Sequence, residues 1–194
     1  MRTVLVLFAA MHLSAASAAT SEIPTVLAHP IFGQPFSCIE HWQGNVKELG
    51  DSLGTDCVIQ QLVNDHGRTW MRSYKRDGSR NEDWYVWDKP VLSPCSCEVE
   101  KIGENRDINR PGILGKPPAA SVHLKREDGV VFVLAHVAKL TVKPGDKVES
   151  GQVIAHVGNN GFSRHPHIHM GAYKGEEPMQ IRFDQAAMGK LFEN

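Results

Sequence analysis

The stretch from Ser121 to Leu140, SVHLKREDGVVFVLAHVAKL, constrains the fold most, because two β-branched runs meet there at Asp128-Gly129. An Asp-Gly pair tolerates the positive backbone angles of a tight turn, so runs flanking it are expected to fold back as an antiparallel hairpin. The same grammar recurs along the chain. DWYVWDKPVLSP is aromatic and β-branched, and LTVKPGDKVESGQVIAHVGNNGFS gives two short valine-rich strands joined by ESGQ and followed by a Gly-Asn-Asn-Gly turn. Helical signals are scarce: FDQAAMGKLF near the end, and a short helix within CIEHWQGNVKELGDSLGTDC stopped by Gly50 or Gly54. The expectation is a mostly β, single small antiparallel domain with few helices.

The first 19 residues, MRTVLVLFAAMHLSAASAA, join an early positive charge at Arg2 to an apolar run and then small residues. They read as a secretory signal peptide, and the run is shorter than the roughly 20 residues a bilayer span requires. An exported chain follows, periplasmic or extracellular, with no transmembrane segment once mature. Residues 20–80 read as an N-terminal extension and the start of the domain, and 81–194 as the main β domain with a C-terminal extension. With 21 Lys plus Arg against 22 Asp plus Glu, no global field draws nucleic acid or acidic lipid. Binding must come from a local site on what is expected to be a monomer.

Four cysteines, Cys38, Cys57, Cys95 and Cys97, allow three disulfide pairings. A structural role is favoured over a metal role, since CSC lacks the C-x2-C spacing of a thiolate zinc site. Cys38–Cys57 is the preferred pair, because a bridge between the near neighbours Cys95 and Cys97 is expected to be strained.

Chemistry concentrates in FSRHPHIHMGAYKG, from Phe162 to Gly175. Strand side chains alternate between faces, so His165, His167 and His169 share one face while Ile168 and Met170 point to the core. Pro166 lacks an N–H, which starts regular strand at about His167. Histidines two apart lie about 6.6 to 6.8 Å along a strand. Either both lean onto one ion, or one ligates while the other acts as a base beside metal-bound water. The plainer alternative is a polar strand whose histidines are surface or hydrogen-bonded interior residues. The long segment GENRDINRPGILGKPPAA either walls a groove, where Asn105, Asn109 and Arg110 could contact a substrate, or is a solvated loop, which is the favoured reading of those three residues.

Val131 to Ala172 resembles the lysostaphin and LytM type zinc peptidases, the M23 family. LAHV, VKPGDKV, SGQVIAHVG, the glycine turn and PHIH follow one another in the family's order. DWYVWDKPVLSPCSCEVEKIG resembles an earlier family element more loosely, so the resemblance runs from about Asn81 to Ala172. It implies a small antiparallel β-sandwich with a groove, zinc as cofactor, and hydrolysis of peptide bonds in peptidoglycan. In the family, zinc is held by the His and Asp of an H-x-x-x-D element and by the second His of H-x-H. Carried over, His169 is a metal ligand and Asp83 the carboxylate ligand, while His167 and His136 are the catalytic histidines. The chain departs from the pattern at Ser79, four residues before Asp83, where a hydroxyl replaces imidazole. His66 is the nearest upstream candidate for the missing ligand, and His29, His41, His123 and His156 receive no role.

Two functions follow from the resemblance. One is a secreted zinc metalloendopeptidase acting on peptidoglycan cross-links; the other is a catalytically degenerate relative that binds cell wall or regulates a hydrolase. A biotinyl or lipoyl carrier hairpin is disfavoured because the ESGQ turn holds no lysine.

Overall fold

The computed structural model describes residues 22–193; the leader expected over residues 1–19 lies outside the described residues. The chain runs through β1 (Thr25–Ala28), β2 (Ser37–Glu40), β3 (Thr55–Val58), β4 (Gln61–Asp65), β5 (Arg68–Arg72), β6 (Pro90–Leu92) and β7 (Cys97–Gly103). It continues through β8 (Ser121–Lys125), β9 (Val130–Ala135), β10 (Val137–Ala138), β11 (Lys147–Val148) and β12 (Val153–Val157). β13 (Ile168–Lys174), β14 (Glu177–Pro178), β15 (Gln180–Phe183) and α1 (Gln185–Lys190) complete it. An eight-stranded antiparallel sheet has the order β11-β7-β8-β9-β13-β3-β2, with β14 alongside β13. β10, β12 and β6 form a second antiparallel sheet.

Apolar residues from both sheets bury together. Val99, Leu124, Phe132, Leu134 and Met170 of the large sheet share one core with Val91, Ile154 and Val157 of the small one. Period-two alternation explains the choice: Ile168 and Met170 are fully buried, as their placement between histidines predicts. The hairpin at Asp128-Gly129 also forms, with Gly129 at φ 87° and the Arg126 N–H donating to the Val130 carbonyl at 2.8 Å. At the C-terminus α1 forms where the pattern predicts, its first amides capped by the Asp184 carboxylate.

The run GVVFVLAHVAKL does not continue as one strand. β9 ends at Ala135, and His136 adopts φ 63° before β10 joins the other sheet opposite Val157. A left-handed histidine is unfavourable in itself, and here it lets the chain change sheets at a residue that points into the site. The two valine-rich strands around ESGQ likewise do not pair with each other: β11 lies on β7 and β12 on β6. β1 and β15 pair in parallel, against the antiparallel pattern elsewhere.

Two further expectations are corrected. No helix forms between Cys38 and Cys57; β2 and β3 take its ends, and positive φ at Gly44, Gly50 and Leu53 turns the connection tightly. β2 and β3, within residues 20–80, belong to the large sheet. Finally, Cys95 and Cys97 are bridged despite their proximity, alongside the expected Cys38–Cys57 pair.

Cys38 and Cys57 stand opposite each other in the β2/β3 register. Their bond closes a loop with a sequence separation of 19 residues. Replacing both with alanine is expected to lower the unfolding free energy by about 3 kcal/mol, from the entropy the bridge removes from the unfolded chain. Urea denaturation measures this; an unchanged midpoint would show that the edge of the sheet holds without the bridge.

Candidate metal centre

β13 lies between β9 and β3, which places His169 opposite Ala135 on one side and Asp56 on the other. β2 pairs with β3 and stops at Glu40, so His41 follows at the sheet's edge, its N–H donating to the Gly54 carbonyl at 2.8 Å. Pairing thereby gathers His41, Asp56 and His169, whose potential ligand atoms all lie within 4.8 Å of one another. His169 Nδ1 is 2.9 Å from Asp56 Oδ1, and His41 Nε2 is 3.4 Å from Asp56 Oδ2.

Two more imidazoles adjoin this group. The His136 ring centre is 4.5 Å from that of His167 and 6.5 Å from that of His169. His167 Nε2 is 3.6 Å from Asp56 Oδ1. The Nδ1 of His136 faces the Asn160 carbonyl at 2.8 Å, and the Nδ1 of His167 faces the His165 carbonyl at 2.9 Å. A carbonyl only accepts, so both rings carry a proton on Nδ1 and keep a free lone pair on Nε2. His165 itself stacks on Trp84 with ring centres 4.4 Å apart, outside the group.

The environment separates the histidines electrically. Burial opposes charge on His169, yet hydrogen bonds to Asp51, Asp56 and the Gly50 carbonyl push it up to about 10. Burial, reinforced by neighbouring His167, pushes His136 down to about 3. Burial also lowers His167, with Asp56 pulling the other way. Burial works to raise Asp56, but the hydrogen bond from His169 and the nearby His167 and His41 hold it well below the ordinary carboxylate range. The hydrogen bond from His169 likewise lowers Asp51.

Two imidazole nitrogens and one carboxylate oxygen form a donor set suited to a borderline divalent ion such as zinc, with a position left for water. The group therefore fits a metal of the kind the H-x-H strand suggested. Its members differ from those read from the sequence. His169 is in place, but Asp83 is held elsewhere: it is 1% exposed, its carboxylate faces the Arg76 guanidinium and accepts the Arg80 N–H at 3.2 Å. His66 does not join either, sitting with Gly67 at positive φ in the turn between β4 and β5, with its side chain 95% exposed.

Asp56 and His41 escaped sequence reasoning. Four residues before Asp56 stands Ser52, so the H-x-x-x-D spacing again meets serine, and the imidazole comes instead from His41. The β4/β5 hairpin intervenes between Asp56 and the PV element at Pro90, which hid the relation. One signal was available: an aspartate inside the otherwise strand-like Thr55-Asp56-Cys57-Val58-Ile59. The long loop GENRDINRPGILGKPPAA lies against the histidine segment, its Asn109 amide donating to the Gly161 and Ser163 carbonyls at 2.9 and 3.1 Å. Asn105 donates to the Pro118 carbonyl at 2.7 Å. These two side chains hold the loop together, and Arg110 alone of the three stays exposed.

In the metal-free protein, His169 titrates at about 10 folded and about 6.5 unfolded. Its stabilisation is complete below the unfolded value and is lost as pH rises through the folded one. The difference in unfolding free energy between wild type and His169→Gln, measured with a chelator present, is expected to shrink steadily between those two pH values. A difference independent of pH over that range contradicts the ion-paired geometry.

The description "Peptidase family M23" matches residues 85–181, half of the chain. Glycyl-glycine endopeptidase ALE-1 of Staphylococcus capitis is 26% identical over 121 residues, which are 58% of this chain and 33% of that protein. The chain thus spans about a third of that relative's length. Among solved structures, the catalytic domain of lysostaphin from Staphylococcus simulans aligns at a TM-score of 0.45 and 18% identity, over 74% of this chain and 87% of that one. The catalytic domain of the prophage-encoded M23 protein EnpA from Enterococcus faecalis, as a point mutant, aligns at a TM-score of 0.48 and 20% identity, over 76% and 87%. The matched residues include His136, His167 and His169, and the chain belongs to peptidase family M23.

Proposed function

We propose that the chain is an exported zinc metalloendopeptidase that hydrolyses peptide bonds in peptidoglycan cross-links. The observation that carries this reading is the group of His41, Asp56 and His169 with His136 and His167 beside it, in a chain of the M23 family. His41, Asp56 and His169 would hold the ion. Zinc bound there would lower the pKa of a coordinated water toward about 7 and polarise a scissile carbonyl.

The remaining steps belong to the chain's own histidines. His136 and His167 are neutral near pH 7, each with an unprotonated Nε2, so either can accept a proton from the attacking water. His167 is the better acceptor because the Asp56 carboxylate, 3.6 Å from its Nε2, stabilises the imidazolium that forms. Once protonated, that Nε2 becomes a donor and can hold the oxyanion or deliver the proton to the departing amine. Neither ring can do this before it has taken the proton, which orders the two events.

A second reading has its own observation. Serine stands at the histidine position of H-x-x-x-D whether the motif is set on Asp56 or on Asp83, through Ser52 or Ser79. A family member without its usual imidazole would serve as a cell-wall-binding or hydrolase-regulating protein; His41 argues against that by supplying a nitrogen from another segment.

Metal content and hydrolysis of purified peptidoglycan separate the readings. Near-stoichiometric zinc is expected in the wild type, loss of zinc and hydrolysis together in Asp56→Asn and His169→Ala, and retained zinc in Asp83→Asn. His167→Ala is expected to keep its zinc while the rate falls by about 100- to 10,000-fold. Zinc retained in Asp56→Asn but lost in Asp83→Asn would overturn the assignment.

A further inference from the structure

An imidazole ligand offers one nitrogen to the metal, and whatever holds its other nitrogen decides which one that is. For both His41 and His169 the holder is the same turn, residues 48–54. The Asp51 backbone carbonyl lies 3.1 Å from His41 Nδ1. The Gly50 carbonyl lies 2.7 Å from His169 Nε2, and the Asp51 carboxylate is 3.1 Å from the same atom. Carbonyl oxygens only accept, so His41 keeps a proton on Nδ1 and His169 keeps one on Nε2. The opposite nitrogens are the two that face Asp56.

The turn is shaped to reach both rings. The Asp51 and Ser52 N–H groups donate to the Glu48 carbonyl at 3.0 and 2.9 Å, and the Gly54 N–H donates to the Asp51 carbonyl at 3.0 Å. The Asp51 carbonyl therefore ties the turn together while accepting from His41. Glycine is required where the turn meets β13. A Cβ on Gly54 would lie 2.8 Å from His169 Cε1, and a Cβ on Gly171 would collide with the Gly50 carbonyl oxygen. Gly50 sits at φ 93°, which directs that carbonyl at the imidazole.

We propose that the turn at residues 48–54 selects the ring nitrogens that His41 and His169 present to the metal position, with Asp51 as the positioning residue that acts on both ligands. Its backbone carbonyl sets His41 and its carboxylate reinforces His169. This rests on the metal reading above, but the orientation of the rings exists before any ion binds and is measurable without one.

Two-bond proton–nitrogen correlation spectra of the ¹⁵N-labelled mature chain, recorded near pH 8 with a chelator present, test the orientation directly. His41 is expected to carry a proton on Nδ1, toward the Asp51 carbonyl, also where Nε2 shares one with the Asp56 carboxylate; a ring protonated on Nε2 alone or an averaged signal overturns the proposal. Zinc competition against a chromophoric chelator tests Asp51. Asp51→Ala is expected to bind zinc about 10- to 100-fold more weakly, with Asp51→Asn, which keeps an acceptor oxygen, recovering most of the loss. Circular dichroism verifies that each variant is folded. Wild-type affinity in a folded Asp51→Ala protein overturns the role of the Asp51 carboxylate, while the His41 spectrum tests the role of its backbone carbonyl. If the wild type takes up no zinc, the metal reading fails, and the His41 spectrum alone then decides whether the turn sets the ring.

Discussion

Asp56 faces His169 across the β3/β13 pair, and the rest of the site depends on that register. A slip of one residue would turn Asp56 to the opposite face of the sheet and leave His169 against a neighbouring strand residue. The neighbouring register repeats the constraint: Cys38 opposes Cys57 one position away, and their disulfide joins β2 to β3 beside Asp56. His41 follows β2 directly, so the same pairing that places the carboxylate also delivers the second imidazole.

Around this one carboxylate three of the histidines divide by environment. His169 lies against two acids and a carbonyl and holds positive charge when no metal is present. His136 and His167 are buried against each other, and burial keeps them neutral. Titratable groups pushed apart in this way mark candidate sites of proton chemistry. The division follows from position: His169 lies within β13 directly opposite Asp56 and against Asp51, whereas His167 just precedes the strand and touches only the fringe of Asp56. His136 arrives from the other direction, at the left-handed residue where the chain leaves β9 for β10.

Local signals were legible and long-range ones were not. The Asp128-Gly129 hairpin, the buried Ile168 and Met170, the C-terminal helix and the H-x-H strand each depend on residues within a few positions of one another. Asp56 and His169 are 113 residues apart in sequence, and only strand pairing joins them. With the β4/β5 hairpin inserted before the PV element, the nearer Asp83 stood at the place where spacing predicted a ligand. Its carboxylate is buried against Arg76, and it is not among the residues gathered with His169. The segment holding the turn at residues 48–54 read as a short helix stopped by Gly50 or Gly54, but its glycines answer to close approach with β13, and a neighbour so distant in sequence leaves no local period.

The central claim is that the metal position lies on Asp56. Anomalous diffraction from a zinc-soaked crystal, recorded on both sides of the zinc edge, locates the ion without reference to activity. The account predicts a single strong peak bonded to His41 Nε2, Asp56 and His169 Nδ1. A peak on Asp83, or none within reach of Asp56, would contradict it.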